Sequence, residues 1–222
     1  MSVKKRTIVV HSHQLHVPIS KKNPSGLTIR DQHIRRLPGT YLDAAGIKLI
    51  FKNYDRNNIQ WPTKGKLKLS KNSDKYDELI AVWTDYFNKK YSTEKQMDPD
   101  VIKALIASES SFVEDPTPRK IAIGITQITK STLKIIQDPN GESKDFIFSK
   151  ITQKDLRDPN IAIPLGVRWL IYKKTLARYK LKREPTAEEI ILEYKGLLKS
   201  TTEYKNKALK NFKENYGLLK SK

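Results

Sequence analysis

DPDVIKALIASESSF, residues 98–112, predicts an amphipathic helix that carries one carboxylate on its buried face. Asp98 before Pro99 is a typical helix start, a capping side chain followed by a proline at the first helical position. Four apolar residues then recur at helical spacing: Val101, Ile102, Leu105 and Ile106. Glu109 continues this stripe at the same spacing. Burial desolvates a carboxylate and favours its protonated form, which is the form that a general acid needs.

A structural interpretation of Glu109 stays open beside the chemical one. A glutamate at the end of a helix also reaches solvent or pairs with a lysine, and structural carboxylates often imitate functional ones. Spacing alone favours this structural interpretation. The case for chemistry therefore depends on the rest of the chain.

The composition is typical of a globular protein. The 222 residues are 37% hydrophobic and 30% charged, enough for one well-cored domain with an extension or for two small domains. No apolar run approaches the roughly 20 residues of a membrane-spanning helix, so we expect no membrane span. The chain has no cysteine, which excludes disulfides, cysteine nucleophiles and thiolate metal sites.

The charge is positive and uneven along the chain. Residues 1–75 contain 16 lysines and arginines against 4 acidic residues, and the whole chain has a formal net charge of +19. Such a chain is attracted to a polyanion, whether nucleic acid, anionic lipid or an acidic wall polymer. Its later basic residues fall mostly on solvated helix faces, and no known nucleic-acid-binding motif is present. We therefore expect no nucleic-acid partner, and a non-catalytic wall- or nucleic-acid-binding protein remains the alternative to an enzyme.

Two regions are predicted, with a boundary after residue 72. Residues 1–72 contain proline and glycine at short intervals, with short apolar pieces between them such as residues 47–51. This pattern predicts an irregular or weakly β N-terminal extension. Residues 73–222 predict an all-α domain of at least five helices, one beginning at Asp158-Pro159 and one with a capping box of Thr186 and Glu189.

Two further segments carry candidate functional side chains. Residues 121–129, IAIGITQIT, embed a glycine and the amide of Gln127 in an apolar run, which suits a side chain that hydrogen-bonds a sugar. Residues 193–196, EYKG, place a glycine inside a helical pattern, which indicates close packing or a bend. Each segment has a structural explanation when it is taken alone.

The order of these segments resembles the soluble lytic transglycosylase family of the lysozyme-like superfamily. The shared pattern is a helix ending in Glu-Ser-x-Phe, then Gly-x-x-Gln, then an Asp-Pro helix start within residues 155–162, then a tyrosine motif. It covers about residues 75–216. The resemblance implies a mainly α, lysozyme-like transglycosylase domain at residues 73–222, and a peptidoglycan lytic transglycosylase that uses no cofactor.

The resemblance also implies roles for single residues. Glu109 matches the catalytic acid/base of the family, and Ser110 matches its neighbouring hydroxyl, which we expect to contact substrate. Gln127 matches the glutamine that hydrogen-bonds substrate, and Gly124 the glycine that permits close approach. Tyr194 matches the tyrosine that contacts or orients the catalytic glutamate.

Three positions depart from the family pattern. Lys195 stands where asparagine is usual, and its ammonium would either bind a muramic lactyl or peptide carboxylate or point to solvent. We favour solvent. Glu193 replaces the usual alanine, and Thr126 replaces a methionine with a smaller and more polar side chain.

The implied reaction needs only one carboxylate. Glu109 would protonate the leaving oxygen of the β-1,4 bond between MurNAc and GlcNAc, and then accept the proton of the muramic C6 hydroxyl, giving 1,6-anhydro-muropeptides. The alternative is a muramidase that uses water and a second carboxylate. Its candidate second carboxylates are Glu114, Asp115 and Glu193. We favour the anhydro-forming reaction.

The histidines do not predict a metal site. All four lie in the first region: His11, His13, His16 and His33. A structural zinc site would need a fourth ligand and a closed geometry. We therefore expect no metal and interpret these residues as polar positions of an extended arm.

The first ten residues do not predict a signal peptide, because residues 8–10 are an apolar run far shorter than the about 7–15 residues of a signal-peptide core. Since peptidoglycan lies outside the cytoplasm, we expect synthesis in the cytoplasm and delivery to the periplasm or the cell exterior by a non-classical route, as a secretion-system effector or a phage-type lysin. The expected partners are peptidoglycan strands, a secretion or tail carrier protein and, for an antibacterial effector, an immunity protein. The basic first region would dock on the carrier or cover the substrate cleft.

Overall fold

The computed structural model describes residues 7–10, 13–16, 24, 27–30, 33–36, 40–67, 73–91, 95–114 and 121–221. The chain divides into two compact units, Met1–Thr40 and Tyr41–Lys222. The helices are α1 (Ala44–Asn53), α2 (Asp77–Tyr91), α3 (Pro99–Ser110), α4 (Lys130–Gln137), α5 (Pro159–Leu181), α6 (Ala187–Tyr194) and α7 (Thr202–Lys220). The strands are β1 (Thr7–Val10), β2 (His13–His16), β3 (Leu27–Arg30), β4 (His33–Arg36), β5 (Thr40–Tyr41), β6 (Ala122–Ile123), β7 (Ile128–Thr129) and β8 (Phe146–Ile147).

The first unit contains two antiparallel strand pairs, as expected of a weakly β extension. Strand β1 pairs with β4 and β2 pairs with β3, with Thr7 opposite Arg36 and His16 opposite Leu27. The two strand pairs therefore share one register, as two successive parts of a single antiparallel hairpin would. Two of the four histidines lie in β2 and His33 lies in β4, whereas His11 falls outside the described residues.

The second unit is mainly α-helical, in agreement with the predicted fold class. Helix α5 packs against α1, α2 and α6, and α3 packs against α2 and α7. Nearly every position in the first half of α5 is buried, because neighbouring helices cover it on several sides. The predicted helix starts are confirmed: Asp158 caps α5, and Thr186 with Glu189 forms the capping box of α6.

Helix α1 lies in the segment for which the sequence predicts irregular or weakly β structure. Its start is capped by Asp43, whose side chain accepts a hydrogen bond from the Gly46 N–H at 2.9 Å. Its one buried side chain is Ile47, and Leu42 and Leu67 join the same hydrophobic core. The compact helical unit therefore begins at Tyr41 and not at residue 73, because these apolar side chains are buried with the helices.

None of the helices in the described ranges combines the length and the apolar character that a bilayer crossing requires.

Candidate active site

Glu109 lies in the last turn of α3, where this buried helix reaches the surface. The start of α3 is as predicted, since the Asp98 side chain accepts a hydrogen bond from the Asp100 N–H at 2.9 Å and Pro99 follows the cap. The predicted apolar stripe is buried, with Leu105 and Ile106 fully enclosed. The Glu109 side chain keeps 17% of its surface exposed. It is therefore partly desolvated but still open to a molecule outside.

The chain turns sharply after Glu109. Ser111 and Phe112 both have left-handed backbone conformations, with φ of 51° and 64°. The Ser111 N–H donates to the Ala107 carbonyl at 3.1 Å, and the Phe112 side chain is buried. These contacts hold the end of α3 in one geometry and thereby limit the movement of Glu109.

Ser110 follows Glu109 but its hydroxyl turns back into the helix. It is buried, and it donates to the Ile106 carbonyl at 3.0 Å. The hydroxyl is thus bonded within α3 in this structure, so its match to a substrate-contacting residue finds no support in this geometry.

A short hairpin carries Gly124 and Gln127. In it β6 pairs with β7, with Ile123 opposite Ile128, and residues 124–127 form the turn. The Gln127 N–H donates to the Gly124 carbonyl at 3.0 Å, and the Gln127 side-chain amide donates to the same carbonyl at 2.8 Å. Gln127 also has a left-handed φ of 51°. The amide is therefore held at the tip of a well-defined turn.

The backbone conformation and packing at position 124 require a glycine. Its φ is +74°, and a Cβ built on it would lie 1.8 Å from the Leu156 carbonyl oxygen. Leu156 belongs to a 3-10 helix at Asp155–Arg157, just before α5. The close approach that the structure shows at Gly124 is thus to the chain's own backbone, and a close approach of substrate there stays a prediction.

Thr126 joins the hairpin to two helices. Its hydroxyl donates to the Ala162 carbonyl of α5 at 3.0 Å, and its backbone carbonyl accepts a hydrogen bond from the Tyr194 hydroxyl at 2.7 Å. A Cβ on Gly166 would lie 2.6 Å from the Thr126 methyl group, so the pair fits closely. The small, polar Thr126 therefore fills this space and also uses its hydrogen-bonding groups.

Tyr194, the last residue of α6, lies near Glu109 but donates its proton elsewhere. Burial raises the pKa of the Tyr194 hydroxyl well above its ordinary value, and the negative charge of Glu109 adds to this effect. The hydroxyl is therefore neutral, and it is used to hold the hairpin at Thr126. An orienting role of Tyr194 towards Glu109 stays a prediction.

Lys195 does not point to solvent, contrary to the expectation from the sequence. Its ammonium forms a hydrogen-bonded ion pair with the Glu109 Oε1 atom. Only 22% of the Lys195 side chain is exposed. Both charged groups of the pair are thus partly removed from water. The departure from asparagine at this position was the one sequence signal for this contact.

The other candidate carboxylates are bound by other groups. Glu114 accepts a hydrogen bond from the Tyr76 hydroxyl at 2.6 Å and pairs with the Lys75 ammonium at 3.1 Å; these contacts, Tyr76 first, hold the pKa of Glu114 below its ordinary value. Glu193 is 4% exposed and pairs with Lys180 at 2.6 Å. Asp115 lies outside the described residues.

Within the described ranges, no three histidine, aspartate or glutamate side chains are grouped so as to bind one metal ion. An open groove of about 500 Å³ is lined by Glu114 and Tyr76 and by the start of α5 at Pro159 and Asn160. Glu109, Gln127, Tyr194 and Lys195 are not among the residues that line it.

Comparison with known families agrees with this arrangement. Residues 85–187 match the family model described as Transglycosylase SLT domain, and this range includes Glu109, the hairpin and all of α5. Tyr194 and Lys195 lie beyond it. A comparison with curated proteins finds no match. The matched domain supports a peptidoglycan lytic activity of the transglycosylase type. Residues 85–187 are therefore similar to the transglycosylase SLT domain, which is consistent with the soluble lytic transglycosylases of the lysozyme-like superfamily.

Proposed function

We propose that this protein cleaves the β-1,4 bond between MurNAc and GlcNAc in peptidoglycan, with Glu109 acting alone as general acid and then as general base. The observation that carries the proposal is the position of Glu109, a half-buried carboxylate at the end of a rigid helix within the SLT domain. Such a group is held in place and is still accessible to a glycan strand.

The proposed reaction balances without water. The glutamic acid form of Glu109 gives its proton to the leaving oxygen as the glycosidic bond breaks. The resulting carboxylate then takes the proton of the muramic C6 hydroxyl, whose oxygen bonds to the anomeric carbon. The products are a free GlcNAc hydroxyl and a 1,6-anhydro end, and Glu109 is again protonated.

The contacts of the other carboxylates support a single catalytic group. Glu114 is held as an anion by Tyr76 and Lys75, and Glu193 is buried against Lys180. Both carboxylates thus have partners other than Glu109. The hydrolytic alternative, a muramidase with a second carboxylate, keeps Glu114, Asp115 and Glu193 as its candidates.

The Gln127 amide is the proposed substrate contact on the hairpin, which is bonded through its Thr126 carbonyl to Tyr194. Ser110 and Gly124 act, in this proposal, through the backbone geometry that they maintain. The Ser110 hydroxyl donates to the Ile106 carbonyl, and a Cβ at position 124 would overlap the Leu156 carbonyl oxygen.

The first test is the substitution Glu109→Gln, assayed on purified peptidoglycan with mass spectrometry of the products. We expect this variant to lose about 100-fold or more of the activity, since positioned acid–base catalysis contributes at least that much. The wild-type products should be lighter by one water than the products of hydrolysis. Retained lysis by the Gln variant would contradict an enzymatic role for Glu109 and would favour a wall-binding protein.

Matched variants separate the two reactions. Asp115→Asn and Glu114→Gln should leave the anhydro product and its rate within about twofold of wild type under this proposal. Hydrolysis products from wild type, together with a large loss in Asp115→Asn, would establish the muramidase instead.

We further propose that a secretion-system or phage-tail carrier brings the protein to its substrate, and that an immunity protein accompanies an antibacterial version. The support is the separate compact unit at residues 1–40, which has eight lysines and arginines and one aspartate and would form a basic docking region. A reporter fused to residues 1–30 tests this route. Export of the reporter by the general secretion pathway would contradict it.

A further inference from the structure

The contact between Lys195 and Glu109 affects the first half of the proposed reaction. A general acid must carry a proton, whereas a neighbouring ammonium stabilises the carboxylate form. The same ammonium favours the second half, in which Glu109 is a carboxylate that accepts a proton. The charge at position 195 therefore acts in opposite directions on the two steps.

The backbone holds Lys195 where this contact forms. The Lys195 N–H donates to the Ile191 carbonyl at 3.0 Å and so continues the last turn of α6. Gly196 then reverses the chain with φ +73°, and the Leu197 N–H donates to the Leu192 carbonyl at 2.7 Å. The side chain therefore extends from a fixed helix end and not from a loose loop.

The other titratable groups near Glu109 do not replace this charge. Tyr194, on the same helix end, is neutral because burial raises the pKa of its hydroxyl. Glu193 is paired with Lys180 and lies within 3.9 Å of Lys173. Helix α3 itself places serines on both sides of Glu109. In the described part of the chain, the cation paired with Glu109 is thus Lys195.

We propose that Lys195 is a positioning residue that keeps Glu109 as a carboxylate until the ion pair opens, and that it thereby restricts glycan cleavage to lower pH. This inference rests on the proposed function, because it needs Glu109 to be the acid. The direction of the expected shift in the pH profile follows from the positive charge of Lys195. Removing the ammonium favours protonation of Glu109, so the acid form persists to higher pH and the alkaline limb of the activity profile moves upward.

The experiment measures kcat on peptidoglycan across the pH range for wild type and four variants. Lys195→Met keeps an apolar side chain of similar length. Lys195→Asn introduces the amide that is usual at this position in the family that the chain resembles. In both, the alkaline limb should move up by about one pH unit, because a contacting opposite charge shifts an acid by about that amount or more. Lys195→Arg keeps the charge and should retain the wild-type profile.

Lys199→Asn is the matched charge control. Lys199 is exposed and lies four residues after Lys195, so this variant loses the same charge and keeps the ammonium that pairs with Glu109. Its profile should coincide with that of wild type. An equal shift in Lys199→Asn and Lys195→Asn would overturn the inference, because overall charge would then explain both.

A measurement without activity tests the same contact. The carboxyl carbon of Glu109, followed by NMR against pH in isotope-labelled protein and assigned with Glu109→Gln, should titrate at lower pH in wild type than in Lys195→Met. Equal midpoints in folded proteins would overturn the inference while leaving the enzymatic function intact. Wild-type protein that cleaves no glycan would contradict the proposed function instead, whatever the NMR midpoints are.

Discussion

Several residues around Glu109 adopt backbone conformations that most side chains avoid. Ser111, Phe112 and Gln127 all have φ between 51° and 64°. A left-handed conformation costs a non-glycine residue about 1 kcal/mol or more, so it persists only where surrounding contacts impose it. The burial of Phe112 and the turn hydrogen bonds of Gln127 provide such contacts. This strain is consistent with a functional site in which position matters more than local stability.

At the residue scale, we expect Gly124→Ala to destabilise the fold by about 3 kcal/mol or more, because the added methyl group overlaps a backbone oxygen in a packed region. The relevant atom is the Leu156 carbonyl oxygen, 1.8 Å from the built Cβ. Urea unfolding followed by circular dichroism measures the change.

Gly196→Ala is the control, since Gly196 also has a left-handed φ but nothing lies within 4 Å of its built Cβ. It should cost only about 1 kcal/mol, the backbone contribution alone. Equal losses in the two variants would mean that the contact with Leu156 contributes nothing.

Helix α6 determines where Tyr194 and Lys195 lie, and its start is held by charge. Glu189 accepts hydrogen bonds from the Arg183 guanidinium and from the Thr186 N–H, and the Thr186 hydroxyl accepts one from the Glu189 N–H. These contacts, Arg183 first, lower the pKa of Glu189 to about 2. The capping box therefore begins a short helix whose other end carries the contact to Glu109.

At the element scale, we expect Glu189→Ala to lower the free energy of unfolding by about 1 kcal/mol at neutral pH, the usual contribution of a cap. The folded-state pKa is below the ordinary value, so this contribution is present above pH 4.5 and is lost as the pH falls towards 2. Wild type and variant should thus converge in acid, as urea unfolding at several pH values would measure.

Glu188→Ala is the neighbouring comparison, because Glu188 pairs with Lys213 where both side chains are 45% exposed. It should change stability by only a few tenths of a kcal/mol, about the contribution of a surface ion pair. A pH-independent loss in Glu189→Ala would show that the charge of Glu189 has no part in capping.

At the scale of the whole molecule, one hydrophobic core extends from Leu42 to Leu219 within the second unit. The C-terminal helix α7 packs against α3, and its Lys220 pairs with Asp98 and Asp100 at the start of that helix. The helix that carries Glu109 is thus held at its first turn by the last helix of the chain. Residues 1–40 form a compact unit of their own.

Deletion of residues 1–40 should therefore leave lytic activity on soluble glycan fragments within about twofold, since separate compact units usually keep their own cores. Binding to whole peptidoglycan at low salt should weaken, because the deleted unit carries eight basic residues against one acidic residue. Activity assays and sedimentation with peptidoglycan at low and high salt measure both effects. Loss of activity on soluble fragments would show that the first unit contributes to catalysis.

The sequence by itself determines the helices that build the candidate site. Asp98, Asp158 and Thr186 mark helix starts, and the apolar spacing up to Glu109 marks a buried face, because capping and periodicity act within a few residues. The same local signals, in their order along the chain, support the family resemblance. The Asp43 cap and the buried Ile47 of α1 are equally local, but frequent proline and glycine nearby obscured them.

Only the tertiary structure decided which groups the site residues contact. Lys195 contacts Glu109, which is 86 residues away in the sequence. Likewise, the Tyr194 hydroxyl binds the Thr126 carbonyl, and Leu156 fills the space beside Gly124. A lysine side chain is flexible and can reach several partners or solvent. The group that Lys195 contacts therefore depends on how the ends of α3 and α6 pack together. No spacing along the chain encodes that packing, because it results from the burial of helices far apart in sequence.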